Sequence, residues 1–262
     1  MKIAISGKGG VGKTTLTALL AQVYADKGYE VLAVDADPSP CLAGAIGVPD
    51  ELQEKLNPIS EMEELIYERT GAKPGTTGGF FTINPRVDDI PDRFSVTHRG
   101  IKLLEMGSVD LGGSGCICPE SAMLKTLFTH LLFRDDEVLL LDMYAGVEHL
   151  GRATVDFVDA MIVVVEPTRR SLGTATQIKK LAEDIKLSRL WLVGNKVQNQ
   201  EEIEFLEANT PGIPVLGILP AVDGVLEADR LNIAVYDHVP ELKQAAEKIA
   251  AKIEEITKEQ AE

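Results

Sequence analysis

Among the 262 residues there are only three cysteines, one tryptophan and four histidines, and aromatic residues make up just 5%. Three thiols, an odd number, cannot build a disulfide framework, so the fold has to rest on its apolar core. No run approaches the ~18 apolar residues that a membrane-spanning helix needs. The opening MKIAISGKGG has no apolar stretch followed by a cleavage site, so the sequence predicts a cytoplasmic protein rather than a secreted or membrane one. Positive charge is scarce too: 26 Lys and Arg stand against 41 Asp and Glu, a formal charge of −15. So acidic a surface repels phosphate backbones and anionic lipid, which argues against nucleic acid and membrane as partners.

What is plentiful is apolar and patterned. Apolar residues make up 45% of the chain, enough for a full-sized core. Short apolar runs at 2–6, 31–35, 101–106, 138–142, 161–166, 190–194 and 215–219 alternate with stretches of helical spacing. Nearly unbroken apolar strands separated by helices form a parallel sheet covered on both faces. The expected fold is α/β and doubly wound: a mostly parallel sheet of about seven strands with helices on both faces, in a single domain spanning 1–262. Residues 48–100 break the rhythm with a short helix at 61–69, the loop GAKPGTTGG and the stretch PRVDDIPDRF. They are expected to form an insertion on the surface rather than in the core. The tail, 241–262, lines up Leu242, Ala246, Ile249, Ile253 and Ile256 on one helical face. Lacking the aromatic anchors and basic face of a membrane helix, it is expected to pack against the sheet.

The chemistry begins at the first strand. Ile3-Ala4-Ile5-Ser6 leads into Gly7-Lys8-Gly9-Gly10-Val11-Gly12-Lys13-Thr14-Thr15 and then a helical pattern, the G-x-x-x-x-G-K-[ST] spacing between strand and helix. A glycine-rich turn with a coincidental lysine would not need that context. Glycines let the backbone wrap close to phosphate oxygens, with N–H groups pointing inward at a helix N-terminus. Lys13 is placed for the β- and γ-phosphates, and Thr14 for Mg²⁺. Asp142 ends the run Val138-Leu139-Leu140-Leu141, where a carboxylate suits the Mg²⁺ hydration shell. Four residues on, Gly146 can bring its N–H near the γ-phosphate. Asp37 follows Val34-Asp35-Ala36 at the carboxyl edge of the sheet, where open α/β sheets bind ligands. Either aspartate could instead be a helix cap or a loop residue; the nearby phosphate loop favours a working role for Asp37. Asn195, in Leu192-Val193-Gly194-Asn195-Lys196, ends a further strand with an amide able to donate and accept against a purine edge.

Together these residues resemble the deviant Walker A ATPases, the family of MinD, ParA and the nitrogenase iron protein, marked by a second lysine early in the loop, here Lys8 in KGGVGKTT. The resemblance implies an ATPase forming ADP and phosphate in a nucleotide-stabilised homodimer, with Lys8 crossing to the partner's nucleotide. It makes Asp37-Pro38 switch I, with Asp37 orienting the attacking water, DMYAG at 142–146 switch II, and Asn195 part of the base site. A narrower resemblance, to the nickel-insertion ATPases of the CooC and AcsF type, rests on Gly112-Gly113-Ser114-Gly115-Cys116-Ile117-Cys118, on DADPSPCLA and on AGVEHLGR. It implies carbon monoxide dehydrogenase or acetyl-CoA synthase as the client.

Cys116 and Cys118 are soft ligands suited to Ni²⁺ or Zn²⁺, but a Cys-x-Cys fills two positions where such a site needs four. The simplest completion is the same loop of a second subunit across a two-fold axis. Two loop cysteines of no chemical consequence are the alternative. His98, His130, His149 and His238 are scattered, and His149, after Glu148, reads as a residue orienting its loop. Cys41 reads as a small packed hydrophobe, with an activated thiol as the alternative. The expected function is an ATP-dependent metallochaperone. Its rivals are a MinD- or ParA-like positioning ATPase, disfavoured by charge, and an iron-protein-like Fe–S reductase, whose cysteines lie far apart in sequence.

Overall fold

Runs of Val, Ile and Leu with no polar alternation are stable as strands only when both faces of their sheet are covered. The computed structural model, which describes residues 1–76, 80–107, 118–133, 138–143, 158–184, 186–187 and 189–259, resolves them in that way. The strands are β1 (Lys2–Gly7), β2 (Val31–Ala36), β3 (Val96–His98), β4 (Ile101–Glu105), β5 (Val138–Met143), β6 (Ala160–Val165), β7 (Leu190–Val197) and β8 (Val215–Pro220). They form one eight-stranded sheet in the order β3-β4-β2-β5-β1-β6-β7-β8. Every pairing is parallel except β3 with β4.

All seven expected strands are present, and the eighth, β3, is an addition to the expected count. It has three residues, too few for any periodicity to show, and pairs back on β4 through Arg99 (φ 52°) and Gly100 (φ 82°). Two successive left-handed residues make the turn whose twist suits a tight hairpin.

The helices are α1 (Lys13–Asp26), α2 (Leu42–Ile46), α3 (Asp50–Gln53), α4 (Glu63–Thr70), α5 (Ile90–Phe94), α6 (Pro119–Phe133), α7 (Arg169–Asp184), α8 (Gln200–Asn209), α9 (Gly224–Leu231), α10 (Val235–His238) and α11 (Pro240–Glu259). Successive strand residues point to opposite faces, and the core divides accordingly. Ile3, Ile5, Ala33, Leu140 and Ile162 meet Leu16, Leu19, Leu20 and Tyr24 of α1 and Leu242, Ala246, Ile249 and Ile253 of α11. Ala4, Val34, Leu139, Leu141 and Val163 meet Leu127 and Phe128 of α6, Ile178 of α7 and Leu206 of α8. Each fully buried Leu, Ile or Phe contributes ~1.5–3 kcal/mol. The C-terminal helix packs as its apolar stripe predicts. No helix among the described residues is long and apolar enough to cross a membrane.

The stretch 48–100 departs from expectation. Ile59, Ile66 and Ile90 are fully buried and belong to the cluster built on α6. The stretch is not a surface addition: it covers the β2–β4 end of the sheet, which would otherwise expose Leu32, Val34 and Leu104. Ser60 N–H also donates to Met106 O just beyond β4, at 3.1 Å. Truncation at Ile66 is therefore expected to behave as a core truncation. Ile66→Ala should lower stability by ~2–5 kcal/mol in a denaturant titration. A loss within ~0.5 kcal/mol, the usual size of a surface substitution, would contradict this packing.

Candidate functional site

The sheet order places β1 between β5 and β6, so the carboxyl ends of β1, β5 and β2 open side by side. The glycine-rich loop fills the gap between β1 and α1. Its two outer glycines have steric reasons. At Gly7 (φ 148°) a Cβ would lie 2.5 Å from Val164 O on β6, and at Gly12 (φ 96°) it would collide with Asn195 Nδ2. Gly12 begins α1 with no side-chain cap. The first N–H groups of a helix lack partners within it, and an anion can take that place. Gly9 and Gly10 face open space, Thr15 is half-buried in the first turn, and Lys8 is half-exposed on the loop. Lys13 is 7% exposed.

Two residues of β7 hold this loop from outside. Asn195, only 6% exposed, donates through Nδ2 to Val11 O at 2.7 Å, while its Oδ1 accepts from Lys196 N at 2.8 Å. The amide expected at a base is thus engaged with the loop itself. Lys196, in a left-handed conformation (φ 57°), donates to Gly10 O at 2.7 Å and pairs with Glu166 at 2.6 Å. The sequence reading missed this clamp, although Lys196 follows directly on Asn195.

On the other side of the loop stand two aspartates. Asp35 of β2 and Asp142 of β5 are register partners, 0% and 1% exposed. Asp35 accepts from Asp37 N (3.0 Å), Cys41 N (2.9 Å) and Leu42 N (2.9 Å), so one carboxylate folds 36–42 into a loop and caps α2. Burial pushes the Asp35 carboxyl up and these three bonds hold it down. Asp142 has less support. Thr14 Oγ1 donates to its Oδ2 at 2.6 Å, while its Oδ1 is buried with no partner among the described residues. Burial pushes its carboxyl up to about 7, opposed by the Thr14 bond, with Asp35 adding to the rise and Lys13 countering it. On β4, burial and then Asp35 and Glu61 push Glu105 up to about 7 as well. A buried carboxylate oxygen left unpaired beside a threonine hydroxyl is a hard-oxygen donor set that fits Mg²⁺.

Asp37 is half-exposed at the mouth of the site, its Oδ1 accepting from Ser39 N at 2.9 Å. Cys41 is not the packed hydrophobe expected of it: it is exposed, with Sγ 3.6 Å from Thr14 Oγ1. Cys116, Gly146 and His149 lie outside the described residues. Cys118 immediately precedes α6, its thiol donating to Ser121 Oγ at 3.0 Å. Among the described residues no group of three or more His, Cys, Asp or Glu is placed to hold a metal ion. His98 and His130 sit on separate elements, and His238 lies 3.1 Å from Glu227.

The CobQ/CobB/MinD/ParA nucleotide binding domain matches residues 2–251. The chain belongs to this family. As a member it is a P-loop ATPase, resembling the CooC type. It is 46% identical over 251 residues to the carbon monoxide dehydrogenase accessory protein CooC of Rhodospirillum rubrum, covering 96% of this chain and 95% of that one. An uncharacterised ATP-binding protein of Methanocaldococcus jannaschii is also 46% identical, covering 88% of this chain and 90% of its own. The septum site-determining protein MinD of Pyrococcus horikoshii, solved in complex with Mg-ADP, superimposes with a TM-score of 0.66 at 21% identity, covering 97% of this chain and 96% of that one. At that identity the likeness speaks for the family's fold alone.

The raised carboxyl of Asp142 sets a pH dependence. Between its ordinary 3.8 and about 7 the folded protein keeps a proton that the unfolded chain gives up, so this group costs stability as pH rises across that window. Asp142→Asn retains an acceptor for Thr14 but carries no such proton. Relative to the parent chain, the nucleotide-free variant should gain stability as pH rises from 4 to 8, read as a widening difference in melting temperature. Asp35 and Glu105 add slope of the same sign, so the variant's own pH dependence is reduced rather than abolished. A difference that stays constant with pH would contradict the assignment.

Proposed function

We propose that this chain is an ATP-dependent metallochaperone of the cytoplasm that delivers nickel to carbon monoxide dehydrogenase or acetyl-CoA synthase. It works as a single P-loop domain in a homodimer that closes on ATP. The observation that carries this reading is the 46% identity to CooC across 251 residues, nearly the whole of both chains. The acidic balance, 41 Asp and Glu against 26 Lys and Arg, supports it over a role on DNA or anionic membrane.

In this reading the backbone from Gly7 to Thr15 wraps the phosphates and Lys13 meets their charge. Thr14 and Asp142 hold Mg²⁺, which when bound neutralises charge on the β- and γ-phosphates. Lys8, free on the open side of the loop, reaches the nucleotide of the second subunit. Asp37 orients the attacking water and Gly146 turns its N–H to the γ-phosphate. Asn195, while bracing Val11, keeps its second amide hydrogen for the base. Cys116 and Cys118 with their copies in the second subunit form a four-thiolate site for the cargo, Ni²⁺ or Zn²⁺. Differential affinity of ATP for the closed dimer drives the cargo site between two states.

The metal stoichiometry tests the cargo site. The parent protein should bind about one Ni²⁺ or Zn²⁺ per dimer, and Cys116→Ala/Cys118→Ala should bind none; retention of that metal refutes the four-thiolate site. Lys13→Ala should lose the dimer that a non-hydrolysable ATP analogue with Mg²⁺ produces, measured by light scattering. If the parent stays monomeric with the analogue, the dimer reading falls.

A further inference from the structure

α7 begins with two cations where a helix disfavours them. Arg169 and Arg170 occupy its first turn, both exposed and with no acidic residue beside them in that turn. The N-terminal end of a helix carries partial positive charge, so cations there cost stability. The helix start does not need them: Thr168 Oγ1 accepts from Ser171 N at 3.2 Å, and Ser171 Oγ accepts from Glu166 N at 3.0 Å. Nor are they neutralised within the chain. Arg69, Arg86, Arg93, Arg99 and Arg189 each pair with a carboxylate, whereas none among the described residues pairs with Arg169 or Arg170. Arg230 also lacks such a partner there, but it lies in the last turn of α9, the end that favours a cation.

Their place in the fold is beside the phosphate loop. β6 is the neighbour of β1, and α7 follows β6 at the carboxyl edge of the sheet. Glu166, three residues before Arg169, pairs with Lys196 at 2.6 Å, and Lys196 Nζ reaches Gly10 O at 2.7 Å. The two arginines thus border the open side of the loop, where Lys8, Gly9 and Gly10 lie. On the other side of β1 the sign reverses. Asp37 follows β2 and Glu105 ends β4, with Asp35 within electrostatic reach of both and Glu61 within reach of Glu105. The carboxyl edge therefore runs from acid on its β4–β2 side to base on its β6 side.

Two such edges can meet across a two-fold axis in two ways. One sets each side against its own copy, acid on acid and arginine on arginine. The other sets the β6 side of each copy against the β2 side of the other. Only the second relieves the repulsion between two chains of charge −15. We propose that Arg169 and Arg170 are the cationic half of the surface on which a second copy of this chain docks, meeting the acidic β2–β4 side of that copy. This rests on the reading that two copies close face to face on ATP. A two-fold interface uses every contact twice, so the same two residues neutralise both ends of the closed pair. They also fix which of the two arrangements forms, and so how the two phosphate loops face each other.

The test measures dimerisation of the full chain by analytical sedimentation, with Mg²⁺ and a non-hydrolysable ATP analogue. Arg169→Ala/Arg170→Ala should raise the dimer dissociation constant by about tenfold or more, and Arg169→Lys/Arg170→Lys should recover most of that loss. Added NaCl should weaken the parent dimer more steeply than the alanine variant's. The alanine variant should melt no lower than the parent, because the cations oppose the helix dipole, and should bind Mg²⁺-ADP as the parent does. Phenylglyoxal, which modifies exposed guanidinium groups, gives a check that needs no variant. Peptide mass maps of the parent should show Arg169 and Arg170 protected with the analogue and reactive with Mg²⁺-ADP. An alanine variant that dimerises as tightly as the parent, or arginines that stay reactive in the analogue-bound dimer, overturns the docking assignment alone. A parent that stays monomeric with the analogue overturns the closed-dimer reading and this proposal with it.

Discussion

The site is governed by two carboxylates that have to share one buried place. Asp35 and Asp142 are register partners on adjacent parallel strands, both fully out of water. Like charges so close, in a medium that desolvates them, cannot both stay ionised without compensation. Asp35 obtains it from three backbone N–H groups, and in supplying them the chain from 36 to 42 has to close into a tight loop. That loop carries Asp37 to the mouth of the site and Cys41 to Thr14. Asp142 obtains one hydroxyl hydrogen bond, and its other oxygen has no partner among the described residues. An unpaired buried acceptor costs ~1–3 kcal/mol. A divalent cation removes that cost on binding, so binding energy and site geometry have the same origin.

The remaining architecture serves to hold the glycine loop against this pair. With β1 flanked by β5 and β6, the loop meets Asp142 on one side and β7 reaches it from the other. Asn195 and Lys196 secure Val11 and Gly10 through their carbonyls, so the loop is braced from β7 without using its N–H groups. The small approach distance at Gly12 and the crossing of Gly7 under Val164 explain why the loop is glycine at those places. Lys8, Gly9 and Gly10 remain on the open side, where a second subunit is proposed to close over the nucleotide.

Much of this was legible in the sequence because it repeats locally. The seven long strands announce themselves by unbroken Val, Ile and Leu, the C-terminal helix by its stripe of Leu242, Ala246, Ile249 and Ile253, and the phosphate loop by spacing alone. What was not legible depends on partners far away in the chain. β3 exists only because β4 offers an edge and Arg99-Gly100 makes the turn. Ile59, Ile66 and Ile90 join the core only because α6 leaves room beside β2 and β4, which no pattern within 48–100 encodes. Cys41, at an expected helix start, reads as a packing residue because a free cysteine usually behaves as a small hydrophobe; its exposure follows from the turn that Asp35 imposes. The Lys196–Glu166 pair joins two strand ends 30 residues apart and has no sequence signature.

The central claim is that Asp142, its carboxyl pushed up to about 7 by burial and one oxygen without a partner among the described residues, exchanges its proton for a cation that arrives with the nucleotide. The most direct measurement is calorimetric titration of the nucleotide-free protein with an ATP analogue and Mg²⁺ about one unit below pH 7, repeated in buffers of different ionisation enthalpy. Comparison with Asp142→Asn isolates this carboxyl from the protons of the nucleotide itself. The parent should release close to one proton more than the variant, with the excess vanishing about one unit above pH 7. Equal proton release by the two proteins below pH 7 would contradict the account.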